Sequence, residues 1–352
     1  MNEKKKIVII GGGLSGLTLA YLLSKEDYDI TVLEASERLG GRIQTVHGQL
    51  ETPLELGATW FSDMHPNLLM LIDELGLKKF PQYTKGLTVF QTKSFEPPQT
   101  FFIPEAENPS YRLVGGTQTL IDALAAKLPK ETVQPNTKVI AIKEAGDGLL
   151  VETANGKKLN ADYVAVCIPP QLAAVNIEFV PALKNSLVDL LPVVQTWMVG
   201  ALKFVVEYDE PFWRNDGYSG MLYSHADIVV EMYDHTNFEE TKFGFTGFLN
   251  GSTASYTQQV RKELVLKHLN ILFGRKALQP TAYFDKVWTN EFLASGTSIA
   301  NRPHENNGHP LLQEPYMNEK LFFANTETAA EFPGYMEGAV NAAIRVGNRI
   351  NK

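Results

Sequence analysis

The first strong pattern along the chain is Ile7-Val8-Ile9-Ile10, a β-branched run with no polar alternation. Such a run fits a parallel strand buried on both faces. It enters Gly11-Gly12-Gly13-Leu14-Ser15-Gly16, and an apolar helix pattern follows over Leu17–Leu23, then a second strand over Ile30–Leu33. Pro66–Leu75 carries apolar residues at helical spacing and stops at Gly76, a helix-ending glycine. Gly115-Gly116 precedes a helix over Thr117–Leu128, and short alternating segments follow at 137–142, 149–153 and 163–168. Trp197–Val206 reads as a long half-buried strand, with further strands over Tyr223–Asp234 and Phe243–Asn250. Thr257–Phe273 is an amphipathic helix closed by Gly274; a strand at Leu321–Ala324 and a small-residue helix at Met336–Ile350 end the pattern. Residues 80–110, rich in Pro, Phe and Gln, read as an irregular excursion.

At 352 residues the chain suggests roughly two domains of ordinary size. Hydrophobic residues at 44% and charged residues at 20% exclude whole-chain disorder. A net charge of −8 argues against a nucleic-acid or anionic-membrane surface. The single Cys167 excludes an internal disulfide and a cysteine zinc cluster. Lys4-Lys5-Lys6 before Ile7–Ile10 is too short for a signal h-region, and no stretch approaches the ~20 apolar residues of a membrane span. The expectation is a cytoplasmic protein.

Gly11, Gly13 and Gly16 form GxGxxG in its required strand–turn–helix setting. The first glycine permits the tight turn and the second a close backbone approach to a pyrophosphate, beside Leu14 and Ser15 at the helix N-terminus. The third lets helix and strand pack closely. Glu34 ends the second strand, where a carboxylate accepts hydrogen bonds from a ribose diol and disfavours NADP. NAD and FAD present the same adenosine diphosphate here. The segment Glu34-Ala35-Ser36-Glu37-Arg38-Leu39-Gly40-Gly41-Arg42 resembles the extended dinucleotide motif of FAD-dependent oxidases, with Gly41 close to the cofactor and Arg42 offering a fork of donors to phosphate.

Further blocks in order resemble the flavin-containing amine oxidase family: Leu56-Gly57-Ala58-Thr59-Trp60, Leu113-Val114-Gly115-Gly116, Lys203 ahead of Pro211-Phe212-Trp213-Arg214, and Phe323–Ala329 followed by Gly334–Val340. Coverage is essentially end to end, with the 60–112 region compressed relative to larger members. The resemblance implies an α/β (α+β two-domain) fold: a discontinuous Rossmann-like FAD-binding domain (1–60, 112–175 and 297–352) with an inserted substrate domain of mixed sheet plus helices (61–111 and 176–296). It implies oxidation of a small-molecule amine to an imine by hydride transfer to flavin N5, with dioxygen returning hydrogen peroxide. Lys203 matches the lysine that holds a water near N5, and Tyr335 one wall of an aromatic substrate cage. Thr326, Glu327 and Met336 match cofactor-contacting positions, Met336 through its backbone N–H, and Val139 the position whose backbone holds the adenine. Trp60 and His65 are pocket candidates.

The chain departs from the family pattern at several points. Thr297 stands where monoamine oxidases carry the flavin-linking cysteine, counting forward from Trp288, so FAD is expected to be non-covalent. Ser298 stands where the second cage tyrosine would be, which favours a larger or more polar amine. Ser36 replaces an arginine common near the adenosine, Asn325 a glycine close to the cofactor, and the C-terminal membrane helix is missing. A desaturase or dehydrogenase acting on a non-amine with another acceptor, and a flavin-binding protein without catalysis, remain the competing expectations. His304 and His309 read as a surface loop, and no metal site is expected.

Overall fold

The computed structural model describes residues 4–104, 107–196, 198–288 and 304–352. Its first layer is a five-stranded parallel sheet in the order Leu321–Phe323, Tyr163–Val166, Lys5–Ile10, Tyr28–Leu33, Val133–Gln134. Lys5–Ile10 sits at its centre, in register with Val166 and Leu33 at Ile10. Both faces of that strand are covered, which explains its unbroken apolar run. Ile7 and Ile9 join a core with the helices Leu14–Leu23 and Met336–Ile350, while Val8 and Ile10 pack with Ile142, Leu149 and Val151 on the other side. Those last residues belong to a four-stranded sheet ordered Lys158–Ala161, Gly148–Thr153, Val139–Ala145, Glu178–Val180.

A seven-stranded sheet forms the other half, ordered Ala282–Val287, Leu202–Tyr208, Phe243–Leu249, Val229–Asp234, Tyr218–Ser224, Leu87–Gln91, Gln99–Phe102. One face is closed by the helix Gln258–Phe273, whose Val265, Leu269 and Phe273 pack with Leu202, Phe204 and Val206. The period of two sends Lys203, Val205 and Glu207 to the opposite face. There Val205 meets Leu54 and Leu56, and Glu207 accepts hydrogen bonds from the backbone N–H groups of Leu50 and Thr52.

Three expectations change. Residues 80–110 are not irregular: Leu87–Gln91 pairs in parallel with Tyr218–Ser224, and Gln99–Phe102 pairs antiparallel to it. The Pro-rich stretch is the turn between them. All four residues of Gln99–Phe102 are exposed, so no alternation marks that edge strand. Tyr223–Asp234 is two antiparallel strands rather than one. Ser224 Oγ accepts from Ala226 N and Asp227 Oδ1 from Ile228 N, side-chain turn bonds that reverse the chain. The long strand begins at Leu202 rather than at Trp197, after Met198 and Gly200 adopt positive φ of 75° and 74°. Trp197 lies outside the described residues. Among the described residues no helix is long and apolar enough to cross a membrane.

Candidate active site

A cavity of about 1180 Å³ runs from the C-terminal ends of the parallel strands to the open face of the seven-stranded sheet. At its first end, Gly11 takes φ +110° and its N–H donates to Leu33 O at 2.8 Å, closing the turn out of the central strand. A Cβ on Gly16 would stand 2.0 Å from Gly11 O, so helix and turn meet with no room for a side chain. Gly16 therefore acts behind the wall: it shapes the loop without lining the cavity. Gly13 and Gly41 differ from it. A Cβ on Gly13 would approach nothing nearer than Gly40 O at 3.8 Å, and one on Gly41 only Gly13 Cα at 3.5 Å. Both residues line the cavity, so the two backbones form a cradle that side chains would fill.

The Leu14–Leu23 helix opens on this cradle with Gly13 as N-cap, no side-chain cap and no acid in its first turn. Its leading N–H groups and positive dipole end suit a pyrophosphate. Leu14 and Ser15 line the wall, and Ser15 Oγ donates to Ala324 O. Glu34 is buried in the wall beside Ala35 and Val139. Its Oε2 accepts from Gly12 N at 2.7 Å, and its Oε1 from Ser36 N and Ser36 Oγ at 2.8 Å. Ser36 thus buttresses the carboxylate.

Arg42 lines the cavity, and its fork donates to Glu327 at 2.6 and 3.1 Å. Glu327 is fully buried, also accepts from Asn325 Nδ2 at 2.6 Å, and lies behind the wall rather than on it. The pair ties the Gly40-Gly41 loop to the segment that precedes the last helix. Arg38 clamps the same loop by donating to Leu39 O, Gly41 O and Ile43 O. Thr326 lines the cavity and pins the next turn: its Oγ1 donates to Tyr335 O at 2.7 Å and accepts from Gly334 N at 3.0 Å. Met336 then begins the Met336–Ile350 helix at the wall, with no side-chain cap on its N-terminus.

The residues present fit a flavin dinucleotide. Gly13 and Gly41 offer a backbone cradle, the start of Leu14–Leu23 its free N–H groups, and Glu34 a buried carboxylate, all on the wall of one cavity. Cys167 is inert by comparison; burial pushes its thiol pKa up to about 12.

At the opposite end stands Lys203, 1% exposed. Its Nζ donates to Gly57 O at 2.7 Å and Thr59 Oγ1 at 2.5 Å, and lies 5.0 Å from the Trp60 ring centroid and 5.6 Å from that of Phe248. Burial pushes its pKa down to about 7, against the pull of the Glu55 and Glu231 carboxyls. Glu55 is itself buried, its pKa raised by that burial, and it accepts from Thr117 N and Thr45 Oγ1. Trp60 lines the cavity, anchored by a 2.8 Å bond from Nε1 to Gln82 Oε1 and by an edge contact with Tyr233 at 4.9 Å.

Tyr335 lines the wall and is 45% exposed, which places it at a mouth rather than in a core. His65 falls one ring behind the wall, packed against Phe332 at 5.0 Å and Tyr335 at 6.0 Å. His304, expected on a plain surface loop, stacks nearly parallel on Tyr335 with centroids 5.9 Å apart. Thr297 and Ser298 lie outside the described residues. Sequence reasoning misses Glu55, Glu231 and Thr59; Glu231 is hidden because the strand carrying it reads as part of a longer one, with no face assigned.

The chain matches the family model "Flavin containing amine oxidoreductase" over residues 14–102 and 88–351. It is 26% identical to a probable flavin-containing monoamine oxidase A of Dictyostelium discoideum, covering 99% of this chain and 98% of that protein. It is 25% identical to the flavin-containing amine oxidase B of Cavia porcellus, covering 99% and 86% respectively. Among solved structures it superposes on a wild-type putrescine oxidase bound to putrescine with a TM-score of 0.85 at 22% identity, covering 99% of both chains. A cyclohexylamine oxidase from Brevibacterium oxydans IH-35A gives a TM-score of 0.85 at 21% identity, covering 99% of this chain and all of that one.

Proposed function

Given that the chain belongs to the flavin-containing amine oxidoreductase family, we propose that it is an FAD-dependent oxidase that converts an amine to its imine. The chemistry a non-covalently held FAD would supply here is a hydride acceptor at N5 and, on reoxidation by dioxygen, hydrogen peroxide. The Gly11–Gly16 turn and the first turn of Leu14–Leu23 would hold the pyrophosphate, Glu34 the ribose, and Val139 the adenine side. The uncapped start of Met336–Ile350 would face the flavin ring, where a positive dipole end favours negative charge. The nucleotide unit would comprise 1–60, 112–175 and 297–352, with 61–111 and 176–296 supplying the pocket sheet.

The single observation that carries this reading is Lys203: a lysine sealed between aromatic rings at the far end of the cavity whose near wall is the glycine cradle. Its ammonium, oriented by Gly57 O and Thr59 Oγ1, would hold a water and stabilise reduced oxygen as it forms. The apolar rings of Trp60 and Phe248 would favour the neutral amine that oxidation requires. The test is amine-dependent oxygen uptake by the purified yellow protein, with peroxide counted against amine consumed. Equimolar peroxide is expected. Flavin reduction without oxygen uptake would favour a dehydrogenase using another acceptor.

A further inference from the structure

The segment that holds Lys203 is anchored by its own backbone. Leu56 N and Gly57 N both donate to Gln44 O, at 3.0 and 3.2 Å, and Ala58 N donates to Arg42 O at 3.0 Å. A Cβ on Gly57 would stand 2.4 Å from Arg42 O and 2.5 Å from Gln44 N, so this backbone packs directly against residues 42–44. With its N–H committed on that side, Gly57 turns its carbonyl to Lys203. Thr59, 3% exposed, completes the mount.

Counting hydrogens fixes the direction of each bond. A threonine hydroxyl has one hydrogen, and Thr59 donates it to Gly57 O at 3.0 Å. Its oxygen is then an acceptor toward Lys203 Nζ, 2.5 Å away. Gly57 O takes Nζ, at 2.7 Å, and the Thr59 hydroxyl on its two lone pairs. Two N–H groups of Lys203 are therefore tied to the protein whether the amine is charged or neutral. An ammonium has three such hydrogens and a neutral amine two. The hydrogen that comes and goes is the third, and among the described residues it has no acceptor. Lys203, Gly57 and Thr59 all line the cavity, which leaves the cavity side to that third position.

We propose, on the basis of the amine-oxidase reading above, that Thr59 is the positioning residue of the reaction end: its hydroxyl, spent on Gly57 O, keeps two N–H groups of Lys203 on the 57–59 segment and presents the one exchangeable proton to the cavity. In the charged form Lys203 offers an aimed N–H to water or to reduced oxygen; in the neutral form that position is a lone pair and the donor is gone. An acceptor hydroxyl also favours the ammonium. Glu55, from the strand leading into the segment, and Glu231, across Phe248, act in the same direction. Lys286, paired with Lys203 on the outer strand, opposes them, as does Arg112, which shares a small cavity with Glu55 and His235. His235 is held neutral by its burial. None of these groups is hydrogen-bonded to Lys203, so they shift its midpoint without directing its proton.

The experiment compares wild type with T59V, which removes the hydroxyl at similar volume, T59A, which repeats the loss with a smaller side chain, and T59S, which keeps the hydroxyl. Lysine isotope-labelled at Cε is incorporated, and the Lys203 signal, identified by its absence in K203M, is titrated by NMR across neutral pH. T59V and T59A should lower the midpoint by about one pH unit or more, because a hydrogen bond to a charged group is lost. In parallel the flavin is reduced with dithionite, and its reoxidation by dioxygen is followed by absorbance. Reoxidation at neutral pH should be about fivefold slower in T59V and T59A, in step with the shifted midpoint. T59S should restore both. The visible flavin spectrum reports that each variant is folded. A wild-type midpoint and rate in T59V and T59A overturn the positioning role, and so does a T59S as impaired as T59V, which makes Thr59 a packing residue. Neither readout uses an amine, so the amine-oxidase reading fails separately, when no amine reduces the wild-type flavin.

Discussion

The two ends of the cavity are built by different means. The nucleotide end is backbone: Gly11, Gly13, Gly40 and Gly41 bring two loops together, joined by a bridge between Gly13 and Gly40 and by a bond from Gly40 N to Gly12 O at 2.9 Å. The reaction end is side chains: strand register aligns Lys203, Phe248 and Glu231 on three neighbouring strands, and Trp60 reaches the same cavity from the irregular segment after Leu56. Backbone binding fixes a common cofactor with little tolerance for any added atom. A side-chain row can change its substrate by one substitution. The first end should fail sharply when disturbed, the second by degrees.

The largest effect is expected from Gly16→Ala. The methyl would meet Gly11 O at 2.0 Å, so the turn and helix must part, at a cost of about 3 kcal/mol or more, with loss of bound flavin at 450 nm as the readout. Gly41→Ala sharpens the contrast: it has space but a φ of +58°, so it should cost only ~1–2 kcal/mol in stability while weakening flavin binding, because the methyl points into the cradle. Arg42→Ala leaves the fully buried Glu327 without its ion partner and should destabilise by ~3–5 kcal/mol in denaturant melts; Glu327→Gln in the same chain should recover much of that.

At the reaction end, Lys203→Met should slow reoxidation of reduced flavin on the order of 10²-fold while the protein stays yellow and folded. The wild-type reoxidation rate should fall as pH rises through about 7, the pKa to which burial depresses this lysine, and the variant should be flat. The stability sign is the reverse. Below about 7 the group is protonated in both folded and unfolded chains and the full burial penalty applies. Between about 7 and its ordinary 10.5 the unfolded chain holds the extra proton, so this group's contribution to stability rises with pH. For Glu34→Ala, flavin affinity should drop by ~1–3 kcal/mol through the lost ribose acceptor and the stranded Gly12 and Ser36 N–H groups.

The same contrast governs which parts of the molecule are legible in its sequence. Gly11–Gly16, Glu34 and Gly40-Gly41 fall within a few dozen consecutive residues, and their spacing carries their geometry. The helices at Pro66 and Met336 are equally plain through their 3.6 period, and the helix at Thr257 through its threonine N-cap and closing Gly274, all of them local signals. Arg42 and Glu327 are 285 positions apart, and no local pattern announces their pairing. Lys203 stands out only through resemblance to relatives. Glu231 does not, because its place in the cavity lining depends on two strand registers and on a chain reversal at Ser224–Ile228 that side-chain hydrogen bonds create. The fully exposed Gln99–Phe102 strand has no burial pattern to read.

The most direct test of an amine-oxidising flavoprotein is the visible spectrum of the purified protein, recorded anaerobically before and after adding a panel of mono-, di- and polyamines, then again on admitting air. A yellow protein is expected, whose flavin bands bleach with at least one amine and return with oxygen. A flavin-loaded protein that stays oxidised with every amine would contradict the proposed chemistry.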